Sequence, residues 1–396
     1  MEKKEITLIT DKSKSRGGAN IAAIRISEVL KKKFIINLLS PEGRGIINFL
    51  KIKLARIIVK FFIGKTNYLN SLNIFSRIKK FKSEKNILHI HWIGNEAISL
   101  NYLIKTRRPI LWTMHDMWPI TSTEHFLDNP KLKKYTFKNC NNNFIKKNIF
   151  YKKKELFKKK NIHLIANSKW LEKFAKKSEL TKHLKIDTIY NPIETEQWIR
   201  KDKLYCKKKL NLSHKKDYIL FGAHGGLKNP RKGGDLFLES IKKINSININ
   251  KELEIIILGA DKNYIKSING IKFNFRKLEK NIEKQCMYHS AVNLTVVASK
   301  AESLPQFTVE TILCNNPVVS FDVGGNNEII KHKFNGYLAK TYDTTDFANG
   351  INFCLNSINH NKLLITNKKI RKMFDPKLVL KRYSNIINTM SQQYEN

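Results

Sequence analysis

Two glutamates eight positions apart, Glu302 and Glu310, are the residues of this sequence best placed to do chemistry. They lie in the stretch SKAESLPQFTVET, which runs from a predicted strand through a polar loop into a helix predicted to begin near Pro305. Helical geometry places Glu310 about one and a half turns inside that helix and leaves Glu302 on the loop. At the end of the loop, Ser303 and Leu304 lead into backbone amides at the positive end of a helix dipole, which favour a phosphate or a polarised hydroxyl.

Spacing alone leaves a second interpretation open, in which Glu302 is a helix-start acid and Glu310 a salt-bridge partner. The sequence that follows favours a binding site. A buried strand over 317–323 ends in the pair Gly324-Gly325, and Glu328 follows it. This order of strand, acidic loop, helix, strand and glycine turn resembles the donor-binding half of the retaining glycosyltransferases of the GT-B fold, family 4. Their EX7E motif matches here as Glu302 and Glu310.

Two stretches of the first half extend the resemblance. Arg16-Gly17-Gly18-Ala19 follows the first strand and resembles the family's glycine loop near the donor phosphates, where Gly17 and Gly18 let backbone amides approach an anion closely. The string LWTMHDMWP over 111–119 is similar to a segment of capsule and exopolysaccharide members, and it gives His115 the position of the family's active-site histidine. A glycine pair occurs in many nucleotide-binding folds, and His115 can equally be a buried core histidine.

A third stretch belongs to the second half. Gly222 at the end of a strand, followed by PRKGG over 230–234, resembles the loop whose basic residues neutralise the donor pyrophosphate; here these are Arg231 and Lys232. The sequence departs from the family at Ala223, where many members have an arginine, and a longer loop intervenes before Arg231. We expect Arg231 to supply the missing charge.

The resemblance implies a mechanism and a role for each residue. Glu302 would hold hydroxyls of the donor sugar and Glu310 the ribose, while His115 would reach the sugar from the opposing domain. Arg231 and Lys232, with the helix amides and the glycine loop, would stabilise the departing nucleoside diphosphate. Transfer would retain the anomeric configuration and need no metal or cofactor, and the sequence has no DxD-type metal site. The donor would be a UDP- or GDP-sugar.

The expected architecture is α/β, because short apolar runs alternate with helical stretches over most of the 396 residues. The resemblance implies a GT-B fold, with two Rossmann-like domains facing across a cleft and a C-terminal helix crossing back to the first domain. We predict an acceptor-side domain over 1–195 with the helix at about 376–396, and a nucleotide-sugar-binding domain over 196–375. The predicted strands are 6–10, 87–91, 110–114, 163–166, 218–221, 254–258, 271–275, 292–297 and 318–321.

A formal charge of +41, from 74 Lys and Arg against 33 Asp and Glu, favours anionic partners. Phosphorylated substrates, anionic lipid and nucleic acid all qualify, and an AT-rich coding bias can account for part of the excess. A basic nucleic-acid-binding protein and a nucleotide-sugar epimerase on the same fold are the alternative functions. We expect no nucleic acid, because the chain has no zinc knuckle, RNA-recognition motif or basic repeat. The expected partners are a nucleotide-sugar donor and a glycan or lipid-linked acceptor in surface polysaccharide synthesis.

The segment over 45–64 mixes apolar residues with Lys53, Arg56 and Lys60, which share one narrow face of a helical wheel. It is either a basic amphipathic helix at an anionic membrane surface or a domain helix whose apolar side packs on a sheet. Five scattered cysteines, with no secretory signal and no apolar run of membrane-spanning length, indicate the cytoplasm. We therefore expect a cytoplasmic protein that can be peripheral on the inner face of the membrane.

Overall fold

The computed structural model describes residues 3–11, 17–41, 45–64, 66, 68–78, 86–128, 132–159, 161–244, 252–358 and 360–395. The chain divides into two compact units. The first unit comprises Met1–Ile193 together with Pro376–Asn396, and the second comprises Glu194–Asp375. The division falls two residues before the boundary predicted between 195 and 196.

The first unit is built on a six-stranded sheet in which every pair of neighbouring strands is parallel. The strand order is β2-β1-β3-β4-β5-β6. The central strands are apolar and buried, as a sheet covered by helices requires. The strands are β1 (Glu5–Ile9), β2 (Ile35–Leu39), β3 (Ile87–Ile90), β4 (Ile110–Met114), β5 (Ile162–Ala166) and β6 (Lys185–Thr188).

The second unit contains a seven-stranded sheet in the order β13-β12-β11-β7-β8-β10-β9. Only the edge strand β9 is antiparallel to its neighbour. The strands are β7 (Asp217–Gly222), β8 (Leu253–Ala260), β9 (Tyr264–Ile268), β10 (Ile271–Lys277), β11 (Leu294–Val297), β12 (Val318–Phe321) and β13 (Gly336–Ala339). All nine predicted strands are confirmed within two residues at each end, and four further strands complete the two sheets.

Helices connect most of the parallel strands, because a parallel pair needs a crossover. They are α1 (Gly18–Leu30), α2 (Ile46–Ile58), α3 (Leu100–Lys105), α4 (Phe144–Phe157), α5 (Lys169–Ala175), α6 (Lys203–Lys209), α7 (Gly234–Lys242), α8 (Ile282–Ala291), α9 (Gln306–Leu313), α10 (Asn326–Ile329), α11 (Thr344–Asn356), α12 (His360–Phe374) and α13 (Pro376–Glu395). A π-helical turn, Val59–Ile63, continues α2. Within the described ranges no helix has the length and hydropathy needed to cross a bilayer.

The C-terminal helix α13 completes the core of the first unit, as predicted. Val379 and Ile387 of α13 are buried together with Ile6 of β1 and Ile26 of α1. The hydroxyl of Tyr383 lies 2.9 Å from the Thr113 hydroxyl in β4. Apolar burial and this buried hydrogen bond together hold the end of the chain against the first sheet.

Helix α2 does not pack its apolar side on a sheet. Ala55 is its one buried residue, whereas Ile46, Ile47 and Leu50 have half or more of their side-chain surface exposed. Of the two alternatives for this segment, the structure therefore excludes a domain helix whose apolar side covers a sheet.

Candidate active site

Glu302 lies in the loop between β11 and α9 of the second unit, against the glycine turn that follows β12. Gly324 has φ +60°, and a Cβ atom there would fall 1.7 Å from the Glu302 carbonyl oxygen. The N–H of Gly325 donates to the Ser303 carbonyl at 2.9 Å. Gly324 is therefore needed for the close approach of two loops, because only glycine tolerates both the contact and the backbone angle. This approach fixes the backbone of Glu302.

Arg231 and Lys232 place their cationic groups at the Glu302 carboxylate. Oε1 of Glu302 accepts a hydrogen bond from Nζ of Lys232 and lies 3.0 Å from Nη1 of Arg231. The same oxygen accepts from the Ser299 hydroxyl at 3.2 Å. Burial raises the pKa of Glu302, but the attraction of Arg231 and Lys232 outweighs it and brings the pKa to about 2, below the ordinary 4.5. Glu302 is therefore ionised at neutral pH.

A short 3₁₀ turn over Pro230–Lys232 positions both cationic side chains. The Asn229 side chain caps this turn by accepting from the Arg231 N–H at 3.1 Å. Gly233 ends the turn at φ +65°, where a Cβ atom would fall 1.9 Å from the Ala298 carbonyl oxygen. The turn therefore lies directly against the strand end that leads into the Glu302 loop.

Two cations facing one carboxylate leave this group with a formal charge of +1. Burial lowers the pKa of Lys232, although Glu302 partly opposes the effect. The side chain of Lys232 is 20% exposed and that of Arg231 is 30% exposed, so an incoming anion can reach both. Partly buried cations of this kind bind phosphate oxygens through charge-assisted hydrogen bonds.

Helix α9 begins directly after Pro305, beside Glu302 and its two cations, which confirms the predicted helix start. Pro305 has no N–H, and its carbonyl accepts from the Thr308 N–H at 3.2 Å. The backbone amides on either side of Pro305 belong to Leu304 on the loop and to Gln306 in the first turn.

Glu310 and Gly222 lie in the same part of the second unit. Glu310 is the fifth residue of α9 and is buried. Gly222 ends β7, and a Cβ atom there would fall 2.1 Å from Cζ of the Phe307 ring in α9. Gly222 thus lets the Phe307 ring of α9 pack directly on the end of β7. Donor contacts of Gly222 and Glu310 stay predictions.

His115 follows β4 in the first unit and pairs with a second histidine, His91, which follows β3. Nε2 of His115 and Nδ1 of His91 are 2.9 Å apart, and the two rings are stacked. Burial lowers the pKa of His115 to about 4, although Asp116 partly opposes it, and burial also holds the pKa of His91 well below its usual range. Both rings are therefore neutral at pH 7, and the bond between them fixes one donor and one acceptor nitrogen.

A second polar group lines a small cavity of the first unit together with His91 and His115. Nδ1 of His125 lies 2.6 Å from Oδ2 of Asp116, and the Trp92 N–H donates to that oxygen at 2.9 Å. Burial raises the pKa of Asp116, but His125 outweighs it and the pKa is lowered. No role was predicted from the sequence for Asp116, His125 or His91. The available signal was the string HIHW over 89–92, where polar rings follow a buried strand.

Gly17 and Gly18 form the start of α1, as predicted for the glycine loop. Gly17 is the N-cap at φ +90°, and Gly18 is the first helical residue. A Cβ atom at either position would meet no atom within 4 Å. The backbone there is accessible, whereas Arg16 lies outside the described residues. Contact of Gly17 and Gly18 with a donor stays a prediction.

No group of three or more His, Cys, Asp or Glu side chains in the described part of the chain is arranged to hold a metal ion. A metal-independent reaction stays a prediction.

Comparison with known proteins gives a family match within the second unit. Residues 219–357 match the family described as glycosyl transferases group 1. An uncharacterised glycosyltransferase of Methanocaldococcus jannaschii is 29% identical over 154 residues, which is 38% of this chain and 42% of that protein. The Escherichia coli UDP-Gal:alpha-D-GlcNAc-diphosphoundecaprenol alpha-1,3-galactosyltransferase is 26% identical over 181 residues, 42% of this chain and 44% of that protein. The match spans less than half the length of either relative.

Solved structures match the chain over nearly its whole length. Anabaena HepE in complex with UDP-glucose has a TM-score of 0.59 at 14% identity, covering 97% of this chain and 99% of that one. Sucrose-phosphate synthase of Thermosynechococcus elongatus has a TM-score of 0.68 at 13% identity, covering 98% and 99%. At this identity the likeness shows the fold alone. Residues 219–357 thus form a glycosyl transferases group 1 domain in a chain of the GT-B fold.

Proposed function

We propose that this protein is a retaining, metal-independent glycosyltransferase of family 4 that transfers a sugar from a UDP- or GDP-sugar to a glycan or lipid-linked acceptor in surface polysaccharide synthesis. The observation that carries the proposal is the buried Glu302 carboxylate facing Arg231 and Lys232. All three residues lie within the part of the chain that matches glycosyl transferases group 1.

The reaction breaks the bond between the anomeric carbon and the diphosphate oxygen, and the leaving nucleoside diphosphate takes the electron pair. Arg231 and Lys232 would stabilise the charge that develops there, because their attraction acts in a partly buried site. Glu302 would then bind hydroxyls of the donor sugar, and Glu310 the ribose. The acceptor hydroxyl would attack the anomeric carbon from the face that the diphosphate leaves, and its proton would pass to an oxygen of the departing diphosphate.

The first unit would supply His115, whose ring is held by His91 at 2.9 Å. Burial keeps His115 neutral, so it would act as a hydrogen-bonding group towards the donor sugar and not as a cation. Gly17 and Gly18 would add backbone amides toward the donor phosphates.

We also propose that the protein acts in the cytoplasm. Its five cysteines, Cys140, Cys206, Cys286, Cys314 and Cys354, are all free and buried, which suits a reducing compartment.

The test is release of nucleoside diphosphate from UDP- and GDP-sugars, with acceptor fractions extracted from membranes and with none. Lys232→Met should lower the rate by at least about 100-fold, since a charge-assisted hydrogen bond at the leaving group contributes about 3 kcal/mol. The matched control is Lys228→Met, because Lys228 belongs to the same loop but is 80% exposed and pairs with Asp261 at 3.1 Å. Equal loss in both variants, or product formed only as an epimerised nucleotide sugar, would contradict the proposal.

A further inference from the structure

Helix α2 and its π-helical continuation expose a large apolar surface that no part of the described chain covers. Phe61 is 73% exposed and Ile46 is 78% exposed. The exposed apolar residues recur three or four positions apart, so that they lie along one side of the helix. These are Ile47, Leu50, Leu54, Ile57 and Phe61.

The opposite side of α2 fixes the helix to the first unit. Ala55 is buried, and Ile58 and Val59 pack against the core of that unit. Nζ of Lys51 donates to the Ser76 carbonyl at 2.6 Å. Because the helix is attached in this way, its apolar side faces outward.

A row of cations borders the apolar side. Lys53, Arg56 and Lys60 are exposed and share one narrow face that adjoins the apolar stripe. An apolar stripe bordered by Lys and Arg is the pattern of helices that lie in the plane of a membrane interface.

The apolar surface continues onto α4. The ring of Phe62 packs edge-on against Phe144 at the start of α4, with ring centroids 5.3 Å apart. Phe144 and Tyr151 are both more than half exposed, and they lie seven residues apart on one side of α4, with Lys147 between them. We use the term basic–apolar surface for α2, the turn Val59–Ile63 and this side of α4.

We propose that the basic–apolar surface binds an anionic phospholipid membrane, with α2 lying in the plane of the interface. The apolar stripe would enter the acyl boundary, and Lys53, Arg56 and Lys60 would meet the lipid phosphates. A second copy of this chain is a poorer occupant, because it would bring like charges together along the same border. The inference goes beyond the proposed function, since it concerns a surface remote in sequence from the Glu302 group.

Flotation of the full-length protein with vesicles tests the proposal. Vesicles of phosphatidylcholine alone and of phosphatidylcholine with 30% phosphatidylglycerol are the two arms. The wild-type protein should float with the anionic vesicles and remain largely unbound with the neutral ones. The triple variant Leu50→Ser/Leu54→Ser/Phe61→Ser should lose binding to anionic vesicles. Its matched control, Leu204→Ser/Leu364→Ser/Ile365→Ser, removes equally exposed apolar residues of the second unit and should float like the wild type.

Two double variants test whether membrane binding needs the cations of the basic–apolar surface. Lys53→Gln/Lys60→Gln should lower the partition coefficient about 30-fold, since each cation near an anionic surface contributes about a factor of five. Lys208→Gln/Lys242→Gln, which removes two exposed lysines of the second unit, should change it less than about threefold. Lys232→Met should float normally, so that failure of the donor site and failure of this proposal can be told apart.

Three results would overturn the proposal. Equal recovery with neutral and anionic vesicles excludes the role of the cations. An equal loss in the apolar variant and its control excludes the specific surface. A dimer in light scattering that the apolar variant abolishes, without any flotation of the wild type, identifies a second copy as the occupant.

Discussion

The charge on Glu302 should make the stability of the second unit sensitive to acid. Arg231 and Lys232 outweigh the effect of burial and lower the pKa of Glu302 from 4.5 to about 2. A carboxylate with a depressed folded-state pKa stabilises the fold above its unfolded pKa, and this contribution is lost as pH falls through the folded pKa. The relevant window therefore runs from about pH 4.5 down to about pH 2, and the whole contribution is about 3 kcal/mol.

The variant Glu302→Gln removes this titration while it keeps the size and shape of the side chain. At pH 3.5 this group is about nine-tenths protonated in the unfolded state but only about 3% protonated in the folded state, which costs the wild type about 1.4 kcal/mol relative to pH 7. The difference in free energy of unfolding between wild type and Glu302→Gln should therefore shrink by about 1.4 kcal/mol. The other carboxyl groups titrate equally in both proteins, so their contributions cancel in this difference.

Labelling of buried thiols during urea unfolding measures each unit separately. Cys286 and Cys354 report on the second unit and Cys140 on the first, and all three are buried and free. A dipyridyl disulfide reacts with exposed thiols even in acid. The control variant is Glu283→Gln, because Glu283 is 63% exposed and pairs with a surface lysine. If the difference between wild type and Glu302→Gln stays constant from pH 7 to pH 3.5, the ion-pair interpretation of the site is wrong.

Three further predictions concern residues that support the Glu302 loop, the His115 ring and the C-terminal helix α13. Gly324→Ala should lower the free energy of unfolding by roughly 2 to 3 kcal/mol in urea titrations, because the new Cβ would meet a backbone oxygen at 1.7 Å. Its control is Gly270→Ala, which is also at positive φ but in open space and should lower the free energy of unfolding by about 1 kcal/mol. His91→Leu should lower kcat about tenfold at an unchanged KM for the donor, since it removes the 2.9 Å hydrogen bond between the two rings, and His91→Gln should restore part of it; an unchanged kcat would exclude positioning by His91. Tyr383→Phe should lower stability by about 1 kcal/mol in urea unfolding through loss of the 2.9 Å hydrogen bond to strand β4, and no change would mean that this bond contributes nothing.

The central strands could be predicted from the sequence because they are continuous apolar runs buried on both faces. The four strands that the prediction missed, β2, β6, β9 and β13, are the two edges of each sheet. Two of these edge strands carry polar residues, KIDT of β6 and the exposed YIKSI of β9, so a search for apolar runs does not find them. The other two, IINLL of β2 and GYLA of β13, are short and mainly apolar, and their polar content does not explain why they were missed.

The candidate site was predictable only where a local motif carried it. The helix start at Pro305 follows from the loop sequence, whereas the pairing of Lys232 with Glu302 joins residues 70 positions apart and was not predicted. The family resemblance assigned both residues to the donor but implied no contact between them. The contact between His91 and His115 arises because β3 and β4 are neighbours in the sheet. Nothing in the spacing of those two histidines indicates it. The exposure of α2 likewise depends on which side of the helix packs against the core. The sequence left open whether its apolar side packs on a sheet or faces a membrane.

The proposed function depends on binding of the donor diphosphate by Arg231 and Lys232. Isothermal titration calorimetry measures this binding with UDP and GDP, and with the nucleotide-sugars of whichever nucleotide binds more tightly, titrated into the wild type and into Arg231→Met/Lys232→Met. Loss of two charge-assisted hydrogen bonds should weaken binding by at least about 100-fold in the double variant, while Lys228→Met binds as the wild type does. Wild-type affinity in the double variant, or no binding of any of these nucleotides to the wild type, would contradict the claim.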